Sequence, residues 1–491
     1  MKLSRISVFL LCMLLAALAP AQTITANITG TVTDPTGAVV TNAKVTATNA
    51  DTNVSFNATT NDAGVYRLLF LPVGNYNVAF EGQGFKKSTV GPVRLEVNQI
   101  ARVDAKLELG DTTQTIEVVA AAAILQTEST TTGDTITSTK LTSLPLNGRN
   151  FASLTLLIPG AISTSPGAMN TSSRFQGSGS RPQVNGNREQ TNNFMLDGVD
   201  VNDSIDNRIG YQPSVDALEE VKVLTGNAAG EFGNVGGATV LMTIKSGTNQ
   251  FHGNLFEFLR NNKLDANGFF GNRAGTPRGA LRRNIFGGTL GGPIKQNTLF
   301  FFMDYEGTEQ RTSTATGTAS VAPAAWRSGD LSDYLRISNQ VVRDPATGTT
   351  LATRTPFGGN IIPANRITNP VARYLFSHPE IYPLPNRAGT GTLGVGSNYL
   401  SVGGAGKVRN HQADVKIDWR PTDKDTISGR WSIGRYENVT SRAILPVFMT
   451  GGNDGPTTSA VINWTRAFTP RLVNDARVSF SRIGIDDNVL D

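Results

Sequence analysis

Residues Val184 to Asp200 read V-N-G-N-R-E-Q-T-N-N-F-M-L-D-G-V-D, and Ala228 to Gly253 read A-A-G-E-F-G-N-V-G-G-A-T-V-L-M-T-I-K-S-G-T-N-Q-F-H-G. In the first stretch Asp197-Gly198 separates the apolar run Phe194–Leu196 from Val199. An Asp-Gly pair there is a strong hairpin signal, because both central residues of a type I′ turn need φ > 0. In the second, Gly230, Gly233, Gly236 and Gly237 precede the apolar run Ala238–Ile244, where they are expected to allow tight packing and positive φ. Directly after Asn249 the pattern changes to long, alternating, aromatic-rich segments. A compact glycine-punctuated unit hands over there to a different architecture.

Seven strands are expected beyond that point: Gln250–Asn261, Arg282–Gly292, Thr298–Gly307, His411–Arg420, Asp425–Tyr436, Thr458–Phe468 and Arg471–Arg482. Ala413, Val415, Ile417 and Trp419 share one face, while Gln412, Asp414, Lys416, Asp418 and Arg420 share the other; Leu299, Phe301, Met303 and Tyr305 behave like the first set. A soluble half-buried strand alternates in the same way. The connections discriminate better, because short links at Lys295–Asn297, Pro421–Lys424 and Thr469-Pro470 alternate with long ones. The longest, 309–410, is Pro-rich, lacks alternation and is expected to be an external loop. Short turns at one end and long loops at the other characterise transmembrane β-barrels.

Composition agrees. Charged residues are 17%, aromatics 7%, and Gly reaches 51 of 491 residues, which favours strands and turns over helical bundles. The formal charge is +5, with Lys2 and Arg5 contributing two of those charges, and the basic residues are scattered. No nucleic-acid footprint results. The chain opens with a secretory leader: Lys2 and Arg5, the apolar run Val8–Leu18, then Ala19-Pro20-Ala21 before Gln22. Cys12 is the sole cysteine and lies in that leader, so an exported protein without disulfide or thiol chemistry is expected. No later run of 18 apolar residues exists, so a membrane crossing must be a closed barrel, in which every backbone group is satisfied. That points to outer-membrane lipid as the surroundings of residues 249–491.

Towards the N-terminus, residues 22–109 read as a β-sandwich, with strands near Ile28–Val32, Val45–Thr48, Phe56–Thr59, Tyr66–Leu69, Tyr76–Phe80, Val93–Val97 and Ala101–Leu107. Asp34-Pro35-Thr36-Gly37 and Asn61-Asp62-Ala63-Gly64 supply turns between them. Residues 110–139 are rich in Thr and Ala, cannot bury a core, and read as a linker. Within it Thr115-Ile116-Glu117-Val118-Val119 forms a short β-prone island. Residues 140–248 form a further unit, opened by Leu144-Pro145-Leu146-Asn147-Gly148-Arg149-Asn150.

The two quoted stretches resemble the junction between plug and barrel in TonB-dependent outer-membrane transporters of the Oar-like group. The runs I-T-G-T-V-T-D-P-T-G-A-V-V and L-P-V-G-N-Y-N-V resemble the carboxypeptidase regulatory-like domain, a non-catalytic transthyretin-like sandwich. The resemblance implies an all-β-dominated chain: sandwich, tether, α+β plug and the first part of a transmembrane antiparallel barrel. It implies that Thr115, Ile116, Glu117, Val118 and Val119 are a TonB box, which pairs as an added strand with the periplasmic end of TonB; the alternative is that Ile116–Val119 is an ordinary strand of the neighbouring domain. It also implies structural or gating roles in the plug for Asn185, Gly186, Arg188, Asp197, Gly198, Gly233, Gly236 and Gly237. The implied activity is energy-coupled import of a small or oligomeric substrate, such as a carbohydrate or siderophore. A surface-adhesion or structural barrel is the rival reading, and it needs no TonB box. Seven strands is an odd number, whereas bacterial single-chain barrels are even, so the expectation is that these residues hold only part of a barrel.

Catalytic chemistry is not legible. His252, His378 and His411 stand apart without metal-ligand spacing, and no G-x-S-x-G or P-loop occurs. Asp197, Asp200, Asp203 and Asp206 lack the D-x-[DN]-x-[DN]-G pattern of a calcium loop. No catalytic residue, metal or cofactor is expected, and the residues that contact substrate cannot be read from these motifs.

Overall fold

A computed structural model describes residues 25–490, apart from 111–114, 120–126, 166–180, 229, 231, 234–235, 274, 276–277, 314–316, 402–404, 440–444, 446–449 and 470–471. The leader expected at 1–21 lies outside the described residues.

The sandwich is built from β1 (Ala26–Thr33), β2 (Lys44–Asn49), β3 (Ser55–Thr59), β4 (Val65–Leu71), β5 (Gly74–Glu81), β6 (Lys87–Leu95), β7 (Ile100–Arg102) and β8 (Ala105–Lys106). One sheet runs β4-β1-β7, with β8 also on β1; the other runs β3-β2-β5-β6-β9, where β9 is Thr115–Val119. Ile28, Val32, Val45, Leu68, Tyr76, Phe80 and Leu95 fill the space between them. The Tyr66 hydroxyl donates to the Val103 carbonyl at 2.7 Å and so satisfies a buried polar group. Strand β6 begins at Lys87, well before the expected Val93. A register shift between Tyr76 and Val78 on β5 accommodates Gly91 and Pro92 as a bulge.

The plug sheet runs β10-β15-β16-β13-β14: β10 (Thr132–Thr137), β13 (Asn193–Leu196), β14 (Val199–Asp200), β15 (Leu218–Gly226) and β16 (Thr239–Ile244). A small two-stranded antiparallel sheet, β11 (Ala161–Ile162) with β12 (Gln183–Val184), stands apart from it. Strand β16 is buried along its whole length, as a strand covered on both faces must be. One face meets Phe194, Val221 and Phe151, and the other meets Met195, Leu224 and Phe232. Strand β10 lies within the stretch expected to be linker. It pairs antiparallel with β15 from Thr132↔Gly226 to Thr137↔Glu220. Ile136 is its only large buried apolar side chain, which leaves little hydrophobic signal in the sequence.

The wall is one antiparallel sheet in chain order: β17 (His252–Asn261), β18 (Leu281–Lys295), β19 (Leu299–Ser313), β22 (Ala405–Thr422), β23 (Asp425–Val439), β24 (Thr450–Thr469) and β25 (Leu472–Ile483). All seven correspond to expected strands. A further segment, β26 (Asp486–Leu490), continues the pairing on β24 beyond Gly484-Ile485. The wall is inside-out relative to a soluble protein. Leu255, Trp431, Ile462 and Val478 are exposed, while Asp304, Glu306, Asp414, Lys416 and Arg430 are buried against the plug. Apolar outside and polar inside is the pattern a lipid-facing wall requires. Among the described residues no helix is long and apolar enough to cross a membrane. The long connection between β19 and β22 holds a two-stranded antiparallel sheet, β20 (Gly317–Ala319) with β21 (Tyr399–Ser401), and the helices Ala324–Arg327, Ser332–Ser338 and Pro370–Ser377. The sandwich sits at the short-turn end: the Asn249 amide donates to Asp51 O at 3.0 Å, and the Arg420 guanidinium lies 4.4 Å from the Phe56 ring centroid.

Candidate functional site: the plug against the wall, and its tether

Asp197 and Gly198 form the two-residue turn between β13 and β14, with φ of 47° and 76°. This is the conformation the Asp-Gly pair predicts. The turn carries the Asp197 carboxylate to the wall. One oxygen accepts from the Ile244 amide at 3.2 Å, and the other lies 2.9 Å from Arg430 Nε. Lys416 Nζ stands 3.7 Å from Asp197 and donates to the Ile244 carbonyl at 2.8 Å. Arg430 also donates to Leu196 O at 3.2 Å, and Arg477 donates to Gly198 O at 3.3 Å. Three cations from three wall strands therefore converge on one plug hairpin. The wall partners of the Asp197-Gly198 turn lie far from it in sequence, which hides Arg430 and Arg477 from a reading of the motif alone. Their inward register on alternating strands was the available signal.

A second polar group lies further along the wall. The Tyr211 hydroxyl donates to Asp414 at 2.6 Å, and Ser214 donates to Glu306 at 2.9 Å. Arg149 pairs with Asp216 and lies 3.7 Å from Glu306, its guanidinium 4.3 Å from the Phe258 ring centroid. Asn147 accepts from Arg260 at 2.9 Å and from Arg283. The opening segment Leu144–Asn150, noted in the sequence only as a motif, is thus a wall contact.

The remaining motif residues do not join this cluster. Asn185 and Gly186 form an exposed turn with φ of 52° and 77°, and Asn185 Nδ2 donates to Thr225 O at 2.7 Å. Arg188 is exposed beside them. Positive φ, expected at Gly230, Gly233, Gly236 and Gly237, is found at none of the four. Tight packing holds at Gly237, where a Cβ would overlap Asn192 Oδ1 and lie 2.9 Å from Thr191 Oγ1. Close approach, not left-handed backbone, makes glycine necessary there.

Between sandwich and plug, Val97 is gripped on both sides of its peptide. Its amide donates to Glu220, and its carbonyl accepts from Lys222 Nζ at 2.8 Å. Both charged residues lie on one face of β15 and are buried. Arg94 adds an ion pair with Glu219 at 3.1 Å, and Thr135 donates to Glu96 at 2.7 Å. Burial pushes the Glu220 carboxyl up to about 7, with Glu96 and Glu219 adding repulsion against the opposing Val97 amide and Arg94.

The TonB-box candidate, β9, pairs in parallel with β6 from Lys87↔Thr115 to Gly91↔Val119. It forms the outermost strand of the β3-β2-β5-β6-β9 sheet, the placement expected if Ile116–Val119 is an ordinary strand of the neighbouring sandwich.

Residues 243–490 match the outer membrane beta barrel domain family, and residues 27–108 match the carboxypeptidase regulatory-like domain. The chain belongs to the outer membrane beta barrel family, and its place is the bacterial outer membrane. Among curated proteins it is similar to the TonB-dependent transporter Oar of Myxococcus xanthus, 28% identical over 273 residues, covering 53% of this chain and 24% of that protein. The chain therefore spans about a quarter of that relative's length. Solved structures similar to it include the transporter YddB of Escherichia coli, with TM-score 0.43, 11% identity, and coverage of 69% of this chain and 37% of the other. The siderophore receptor PirA of Pseudomonas aeruginosa gives 0.38 and 14%, with 73% and 41% covered. The ferric enterobactin receptor PfeA of the same organism gives 0.37 and 15%, with 71% and 40% covered.

Proposed function

We propose that the protein imports a substrate across the outer membrane, with the plug as gate and TonB as the source of work. The observation that carries the reading is how the plug is held. Its contact with the polar face of the wall centres on buried ion pairs and hydrogen bonds at Asp197, Tyr211, Ser214 and Arg149. Such an interface binds in one geometry and loses its favourable terms when moved, which suits a part with two discrete positions. Substrate on the outer side acts through a difference in its affinity for the plugged and open states. Thr115–Val119 serves as the TonB box and lies at the short-turn end, where a periplasmic partner reaches it. The substrate is a small or oligomeric molecule of the carbohydrate or siderophore kind.

The test is accumulation of radiolabelled ferric siderophores and oligosaccharides by cells carrying the gene, with and without a proton-gradient uncoupler. Val118→Pro removes a backbone donor from the added strand and abolishes accumulation while surface binding persists. Accumulation unchanged by that substitution moves the assignment to a surface-adhesion barrel.

A further inference from the structure

The parallel seating of β9 on β6 gives the sandwich a task that its fold alone does not. The chain is pinned on both sides of the strand. Before it, Lys86 N donates to Glu108 O at 2.8 Å and Gly110 N donates to Gly84 O at 3.1 Å, so β9 starts beside β6. After it, Arg102 Nη1 donates to Glu128 at 3.0 Å and ties the exit of the tether to the same sandwich. Five register pairs, Lys87↔Thr115 to Gly91↔Val119, lie between these anchors. A strand in a sheet uses only one of its two edges on a single neighbour, and an unpaired edge is a template for another strand. Among the described residues no strand pairs with the second edge of β9.

We propose that the sandwich is a presenting platform, on which the periplasmic end of TonB adds as a sixth strand beside β9 while β9 stays on β6. This rests on the reading of Thr115–Val119 as the TonB box. A strand already extended and anchored has lost its conformational freedom before the partner arrives, so docking spends less of its free energy on ordering. The alternative geometry, in which TonB strips β9 from β6 and takes the same edge, makes the sandwich a competitor.

A disulfide separates the two. Thr89 and Glu117 are register partners, and directly opposed strand residues fall within the Cα range a disulfide spans. Thr89→Cys with Glu117→Cys, in a Cys12→Ser background, is oxidised to lock β9 on β6 and reduced to free it. The purified C-terminal periplasmic region of TonB from the same bacterium is titrated against both forms of the full chain. The platform requires the locked form to bind at least as tightly as the reduced one. A tenfold or greater loss on locking, recovered by reductant, overturns the platform and leaves the TonB box standing. Failure of the pair to cross-link overturns it as well. No binding by either form overturns both the platform and the TonB-box reading.

Discussion

Asp197 in the plug and Arg430 in the wall approach to 2.9 Å with both side chains almost wholly enclosed, at 4% and 1% exposure. The pair joins residues 233 positions apart in sequence, and Lys416 shares the same carboxylate at 3.7 Å. Asp197→Ala removes the carboxylate that Arg430 and Lys416 share and leaves Arg430 with Asp414 at 3.8 Å. Breaking a buried pair from one side costs about 3–5 kcal/mol. The expected result is a plug cleaved faster by protease in intact outer membranes. Combining Asp197→Asn with Arg430→Gln keeps hydrogen-bonding groups at both positions and removes one of the two cations, with Lys416 remaining and Asp414 still held by Tyr211 and Ser432, and recovers part of the loss; a double variant as labile as Asp197→Ala contradicts the assignment.

The glycines of the plug motif are not equivalent. Gly237→Ala drives a methyl group into Asn192, whose side chain is fixed by bonds to Ala238 N at 2.8 Å and Pro182 O at 2.7 Å. Overpacking of this kind costs about 1–3 kcal/mol. At Gly233 no described atom comes within 4 Å of an added Cβ, so Gly233→Ala changes stability by less than about 0.5 kcal/mol. Thermal unfolding of the two variants side by side checks the contrast.

The grip on Val97 weakens as pH rises. Burial raises the docked Glu220 carboxyl from the ordinary 4.5 to about 7, so the docked state binds more protons than the undocked state between those values. Docking is strongest below pH 4.5 and loses stability up to and through pH 7. Hydrogen exchange at the Val97 amide, corrected for its intrinsic rate, should speed up on the order of tenfold between pH 5 and pH 8. Glu220→Gln keeps an acceptor for that amide and removes the titration, so its corrected rate is flat; a slope that survives rules out Glu220 as its source.

Ile462 tests the direction of the wall. It lies mid-strand on β24, exposed, opposite Gly429 on one side and Val478 on the other. If this face meets lipid, Ile462→Lys costs about 2–4 kcal/mol, measured by denaturant titration of refolding into vesicles. A water-facing position tolerates the same change.

The parts of the fold legible in sequence were those whose signal is local. The Asp197-Gly198 turn and the seven alternating wall strands needed only neighbours along the chain. Strand β10 was hidden because T-G-D-T-I-T offers one apolar residue, and its strand state depends on β15, some 85 positions away. The helices between β19 and β22 are short and sit among prolines that suggested plain loop. At the site, Asp197 stood out in its motif, whereas Arg430, Tyr211 and the Glu220–Lys222 grip became visible only when distant strands were brought together. Charged residues on an inward face are as common in a water-filled lumen as at an interface, so alternation alone does not separate the two.

Among the described residues the sandwich is joined to the plug both by the chain itself and by the segment around Val97, with Thr135 of β10 also bonded to Glu96, and this matters once force is considered. One is the chain itself, which leaves β9 and enters the plug sheet at Thr132, the end pair of β10. Tension arriving there loads that edge strand from its terminus, so its pairs can give way one after another. The other is the loop around Val97, whose backbone bonds and apolar contacts with Leu224 and Leu241 bear load together. A progressive seam and a simultaneous clasp thus stand in parallel, and whichever has less slack when β9 is tugged decides whether the plug unravels from its edge or shifts as one piece.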